Sequence, residues 1–285
     1  MPTIRIPAFL VLAAATLLLA ACNFGKFAYN HASPLVTYMA DDYFDLSNDQ
    51  EEFVRTRFGR LQSWHRSTQL PEYERFLREA LARTERPITV ADAHWVNTTA
   101  RDYYHKMVEH SLSDVADLLL QLDASHARHF EERWTRETEK IERETAKGSR
   151  EARVEKAAKK LTDQIETYTG KLSGDQRTLV ASRVYNLPDI AQMRLADRRQ
   201  RQELITALVR ARPAKPEMIA GLRHALIDTD KWRKPEFIAA TKQRDEQYAQ
   251  LAEALSATLT AEQRSSVQKK VRNYLSDISS LIVSR

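Results

Sequence analysis

Val108, Leu112, Val115, Leu119 and Leu122 follow one another at intervals of 4, 3, 4 and 3 residues. Val267, Val271, Tyr274, Ile278 and Leu281 repeat those intervals, and Tyr248, Leu251, Leu255 and Leu259 carry a similar spacing into a third stretch. Such spacing gathers on one face only in an α-helix, with its period of 3.6 residues; on a strand the same residues would scatter over both faces. A half-buried sheet would need apolar and polar residues to alternate, and no stretch sustains that alternation. The composition agrees: only 6 glycines occur in 285 residues, while 29% of residues are charged and Ala, Leu, Arg, Glu and Gln abound. These are helix formers.

Prolines and capping residues divide this helical signal. Ser33 before Pro34 reads as an N-cap followed by Pro at the first helical position, opening a short helix with Leu35, Tyr38, Met39 and Tyr43 on its apolar face. Further starts fall at Ser47, Pro71, Thr89, Asp123, Ser173, Pro188, Pro216, Pro235 and Thr260, and Gly148 and Gly170 suit helix ends. The expected fold is all-α: an elongated bundle of about nine or ten helices over residues 33–285, with room for an internal boundary near residue 170. Trp64, Trp95, Trp134 and Trp232 are expected at helix–helix seams.

One phrase recurs. Leu46-Ser47-Asn48-Asp49-Gln50 is echoed by Leu172-Ser173-Gly174-Asp175-Gln176 and by Leu259-Thr260-Ala261-Glu262-Gln263, with Leu122-Asp123-Ala124-Ser125-His126 a looser copy. Each close copy reads as a capping box. Ser or Thr accepts from the third helical N–H, and Gln reaches back to the cap's own N–H. The acid before Gln favours the positive helix end, and the leading Leu serves as a hydrophobic staple. The irregular spacing of the copies excludes a solenoid.

Residues 131–160 hold 18 charges, 10 basic and 8 acidic, with Trp134, Ile141 and Val154 as the only large apolar residues. Glu132/Arg136, Glu139/Arg143 and Glu155/Lys159 stand at i,i+4 with the acid first, the better orientation. The expectation is a helical hairpin bent at Gly148-Ser149, its tip projecting from the body. Arg198, Arg199 and Arg201 form the densest basic spot, flanked by Asp197 and Glu203, and read as a solvated helix face. The net charge is +5. No basic cluster is interleaved with aromatics, so nucleic acid is not the expected partner.

The chain has one cysteine, Cys22. Before it come Arg5, an apolar run over Ala8–Leu19, and small residues at Ala20 and Ala21, the layout of a signal peptide over residues 1–21. The run is too short to span a bilayer. Leu19-Ala20-Ala21-Cys22 resembles the lipobox of bacterial lipoproteins. That resemblance implies that the Cys22 thiol receives a diacylglycerol, the signal is cut before it, and the new amino terminus is acylated. Residues 22–32 then form the acylated terminus and a short tether. Asn23, where an aspartate tends to hold enterobacterial lipoproteins at the inner membrane, implies the periplasmic face of the outer membrane. With its single thiol lipidated, the chain can form no disulfide and thiol catalysis is excluded.

The recurring phrase resembles the LTxxQ motif of small helical periplasmic chaperones of the Spy/CpxP type. A second resemblance covers more of the chain. Tyr29-Asn30-His31, Asp41-Asp42-Tyr43-Phe44-Asp45-Leu46, Trp64-His65-Arg66, Leu70-Pro71 and Leu172-Ser173-Gly174-Asp175-Gln176-Arg177 resemble an uncharacterised proteobacterial family of helical lipoproteins, a domain of unknown function. It implies an anchored helical periplasmic protein and carries no known activity.

Chemistry is sparse. His126 and His129 lie three apart on an expected helix with Glu132 a turn on, a spacing that could hold zinc, but His126 also occupies a capping position and a fourth ligand is missing. His105 and Glu109 read as a surface pair. Trp64-His65-Arg66 reads as a packed Trp beside a hydrogen-bonded His. Neither a phosphate-binding glycine loop nor a G-x-S-x-G phrase occurs. No catalytic residue, metal or cofactor is expected, and Cys22 is the one functional residue named. The expected function is a non-enzymatic binding protein, chaperone-like towards envelope polypeptides. The alternatives are a scaffolding lipoprotein that tethers one envelope complex, and an enzyme whose site the sequence does not display.

Overall fold

A computed structural model describes residues 28–283. Cys22, the expected signal peptide over residues 1–21 and most of the expected tether lie outside the described residues. Eleven α-helices account for nearly all the rest, and no strand occurs among the described residues. They are α1 (Ala32–Phe44), α2 (Asn48–Trp64), α3 (Leu70–Arg83), α4 (Val90–Leu119), α5 (Ala124–Thr145), α6 (Arg150–Thr169), α7 (Gly174–Tyr185), α8 (Ala191–Ala211), α9 (Lys215–Leu226), α10 (Pro235–Ala257) and α11 (Ala261–Val283). No described helix is long and apolar enough to cross a membrane.

Most helices begin where the sequence places them. Ser47, Thr89, Asp123, Ser149, Ser173 and Thr260 all accept from an N–H of the first turn. Gly148 and Gly170 take φ of 91° and 77°, which side-chain-bearing residues rarely adopt. Pro71 lies in the first turn of α3, as the sequence places it, although α3 follows α2 without a loop. Proline has no N–H, so the ladder cannot run unbroken through it. The break is absorbed just before it, in a single π turn over His65–Gln69 that joins α2 to α3.

The expectation for α1 is corrected. The helix starts one residue before Ser33, and Pro34 sits inside the first turn, where its missing N–H would have had no partner. Its inner face is Ala32, Val36, Ala40 and Tyr43, not Leu35 and Tyr38, which are exposed. α1 lies against both α2 and α5, and the small residues allow that close approach.

The projecting hairpin is also corrected. The chain does bend at Gly148-Ser149, but its two arms separate: α5 docks on α8 and α1, whereas α6 docks on α7 and α11. Trp134 has no exposed surface and Thr138 is buried beside it. One large aromatic and a few small residues suffice to make a seam. The Glu132–Arg136 and Glu139–Arg143 pairs, both at 3.9 Å, occupy the opposite, solvated side.

Three apolar clusters form the interior. The largest joins α1, α2, α4, α5, α8 and α9 around Tyr43, Phe58, Leu112, Phe130, Trp134 and Leu222. A second joins α6, α7 and α10 through Leu172, Val180 and Leu255. The third closes α3 against α11, with Leu70 and Tyr73 facing Ile278 and Leu281. The tryptophans do lie at seams: Trp64 stacks on His110 of α4, Trp95 on Phe76 of α3, and the Trp232 indole donates to the His224 carbonyl.

Candidate functional site

Trp64-His65-Arg66 sits at the π turn, a distortion frequent at functional sites. The Leu70 N–H reaches the His65 carbonyl five residues back. Widening the turn sends the three side chains three ways. Trp64 stacks on His110 with centroids 3.7 Å apart. Arg66 donates to Asn30 Oδ1 at 2.7 Å. His65 turns inward and is only 3% exposed. Its Nδ1 lies 3.0 Å from the Tyr29 hydroxyl, and the Tyr73 ring meets it edge-on. Burial pushes its pKa down to about 4, so the ring is neutral near pH 7. Its Nε2 has no polar partner in the protein. The adjoining cavity, of about 10 Å³, is lined by Tyr29, Phe58, Leu61, His65 and Met107. That leaves room for about one water. A second cavity, of about 30 Å³, lies beside Phe53 and Ser111. Ligand pockets run to hundreds of cubic ångströms. The motif therefore fastens residues 29–30 onto the α2–α3 junction.

His126 and His129 are each held by partners of their own. His126 completes the cap at Asp123, with Nδ1 2.7 Å from the Asp123 carboxylate, and its Nε2 lies 3.2 Å from Gln50 Oε1. His129 Nε2 reaches the Asp42 carbonyl at 3.2 Å. The two rings serve different neighbours rather than one ion. Glu109 pairs with Arg223 of α9, its Oε2 3.0 Å from Arg223 Nε, and not with His105.

The basic spot on α8 is not the solvated face that was expected. Arg198 and Arg201 are 9% and 6% exposed. Arg198 Nε donates to Thr138 Oγ1 at 2.8 Å and its guanidinium lies over the Trp134 ring. Arg201 bonds Asp197 at 3.2 Å, and Arg233 reaches the same carboxylate at 2.7 Å; both lie near the Trp232 ring. Glu137 accepts from Tyr43 and lies near Arg133 and Arg198. Buried charges need such partners. One sequence signal pointed there. Arg198 and Arg201 stand where the stripe of Leu195, Ile205 and Val209 would place apolar residues. Only Arg199 faces outward, 3.1 Å from Glu142. Sequence reasoning also missed Asp92, buried where it caps α4 and takes Arg83 and Arg86; the Arg86 hydrogen bond chiefly holds its carboxyl well below the usual range.

The recurring phrases form two cross-linked pairs. Ser173/Gln176 and Thr260/Gln263 are both capping boxes. Their glutamines also bond each other reciprocally, each Nε2 donating to the other's Oε1 at 2.9 Å. Gln176 additionally donates to the Thr258 carbonyl and Gln263 to the Lys171 carbonyl, both at 2.9 Å. The Ser47/Gln50 box is linked in the same manner to the looser copy, through Gln50 Nε2 to the Gln121 carbonyl and Gln50 Oε1 to His126. The leading leucines 46, 122 and 172 are buried. Cap and cross-link together account for the phrase.

A family model described as a family of unknown function (DUF6279) matches residues 42–237. No curated protein and no solved structure matches the chain. The comparisons thus support the domain-of-unknown-function resemblance and add nothing to the LTxxQ chaperone resemblance.

Proposed function

This chain belongs to the DUF6279 family of unknown function, and we propose that it is a lipid-anchored periplasmic protein of the outer membrane that binds other envelope polypeptides without catalysis. The observation that carries the anchor is Leu19-Ala20-Ala21-Cys22 behind an apolar run and a basic start. What supports binding over catalysis is the use made of the reactive side chains. His126, His129, Arg201 and Asp197 spend their hydrogen bonds on a cap, a neighbouring helix, each other and the Arg233 segment. His65 is held neutral in an apolar setting beside a water-sized space. Such groups fix helices against one another and leave the outer surface to carry recognition.

Two measurements test this. Labelled fatty acid should enter the native protein and be absent from Cys22→Ser, because a hydroxyl does not replace the thiolate as acyl acceptor. Label retained by the variant would remove the anchor reading. Cross-linking in cells then sorts the binding reading: many unfolded clients would mark a chaperone-like role, and one stoichiometric partner would mark a scaffold. Turnover of a small molecule by the purified protein would overturn both.

A further inference from the structure

We infer that the outer face of α1, formed by His31, Pro34, Leu35 and Tyr38, lies on the bilayer that holds the anchor, and so fixes how the helical body is oriented on the membrane. The inference rests on acylation of Cys22. Leu35 and Tyr38 are 49% and 66% exposed, one helical turn apart on a helix whose other face is tightly packed. Six peptide units connect Cys22 to Ala28. Fully extended they span at most about 20 Å, so α1 is held near the lipid surface however the tether runs.

Charge points the same way. Residues 23–40 contain Lys26 and no Asp or Glu, in a chain with 39 acids. The carboxylates that follow are engaged with the body: Asp41 accepts from the Leu46 N–H at 2.9 Å, and Asp42 pairs with Arg133 at 2.8 Å. A segment lying on anionic lipid excludes carboxylates and tolerates lysine. Tyr38 has the apolar body and polar tip favoured at a membrane interface. Two large side chains would not hold a soluble protein on a membrane. Beside an acyl anchor they need supply only orientation, because the anchor already holds the surface at high local concentration.

The test uses the full lipidated chain with Leu35→Cys, Tyr38→Cys or, as control, Tyr185→Cys on α7, which is 53% exposed. Lipidation consumes the native thiol, so an environment-sensitive fluorophore labels the introduced thiol alone. In vesicles of phosphatidylethanolamine and phosphatidylglycerol, labels at 35 and 38 should shift to the blue and be quenched by lipid-borne quenchers, and the label at 185 should not. Labels at 35 and 38 that stay in water overturn the inference. So does shielding that appears in detergent as protein concentration rises, which would mean a second copy covers this face. The mass of the N-terminal peptide reports acylation separately. An unmodified terminus overturns the anchor and this orientation with it, whereas an acylated terminus with labels 35 and 38 in water overturns the orientation alone.

Discussion

His65 shows what burial does to a single group. Its folded pKa of about 4 lies below the ordinary value of 6.5, and the first cause is desolvation. The unfolded chain therefore binds a proton more readily than the folded one between those values. The stability tied to the neutral ring is fully present above pH 6.5. It is lost progressively as pH falls towards 4, to a total on the order of 3 kcal/mol. Replacing His65 by Gln should flatten that acid slope, read from denaturant midpoints at pH 7, 5.5 and 4.5. An unchanged slope would show that His65 is not the titrating group. The sequence displayed this residue inside Trp64-His65-Arg66 but not its setting. Its main partners, Tyr29 and Tyr73, lie 36 residues before it and 8 after it, and the π turn that aims the ring leaves no local signature.

Helix starts were legible because a cap is a local bargain between residues three apart. Ser47 with Gln50, Thr89 as a cap, and Asp123 with His126 all stand as read. Which face of a helix turns inward is not a local matter. On α1 the apolar bulk of Leu35 and Tyr38 lost to Ala32, Val36 and Ala40, because two neighbours approach that helix closely. On α8, two arginines took core positions because Trp134, Trp232 and Asp197 from other turns receive them. The glutamine pair joining the starts of α7 and α11 was likewise invisible, although each cap was plain. It yields a prediction at this scale. Gln263→Leu leaves the Gln176 amide, the Thr260 N–H and the Lys171 carbonyl short of partners, at about 1–3 kcal/mol for each buried group left unmet. Gln176→Leu should cost a similar amount. The double variant should cost less than the sum, since the two amides satisfy each other. Additive costs in chemical denaturation would mean that the cross-link contributes nothing.

Across the whole molecule the family match ends at residue 237, close to the start of α10, yet the folded body continues. α11 lies along α3 and α6, and its Ser279 hydroxyl bonds Glu74 across 205 residues of sequence. Ending the chain at residue 258 should uncover Leu70 and Tyr73. Burying each such side chain is worth about 1.5–3 kcal/mol, against roughly 5–15 kcal/mol that holds a domain together. The expected result is a steep fall in melting temperature and soluble yield, even though the family-matched segment is intact. A truncated chain that melts like the native one would make α11 dispensable. The same clasp also sets an order in time. A chain that emerges amino end first presents α3 early, but the surface made to cover α3 arrives nearly two hundred residues later. Until then Leu70 and Tyr73 must wait in water or in the keeping of another protein, and loop closure over some two hundred residues makes their docking a late event. Completion of this fold thus waits on the arrival of α11, and a stall between α10 and α11 would strand a body assembled nearly everywhere except along its third and sixth helices.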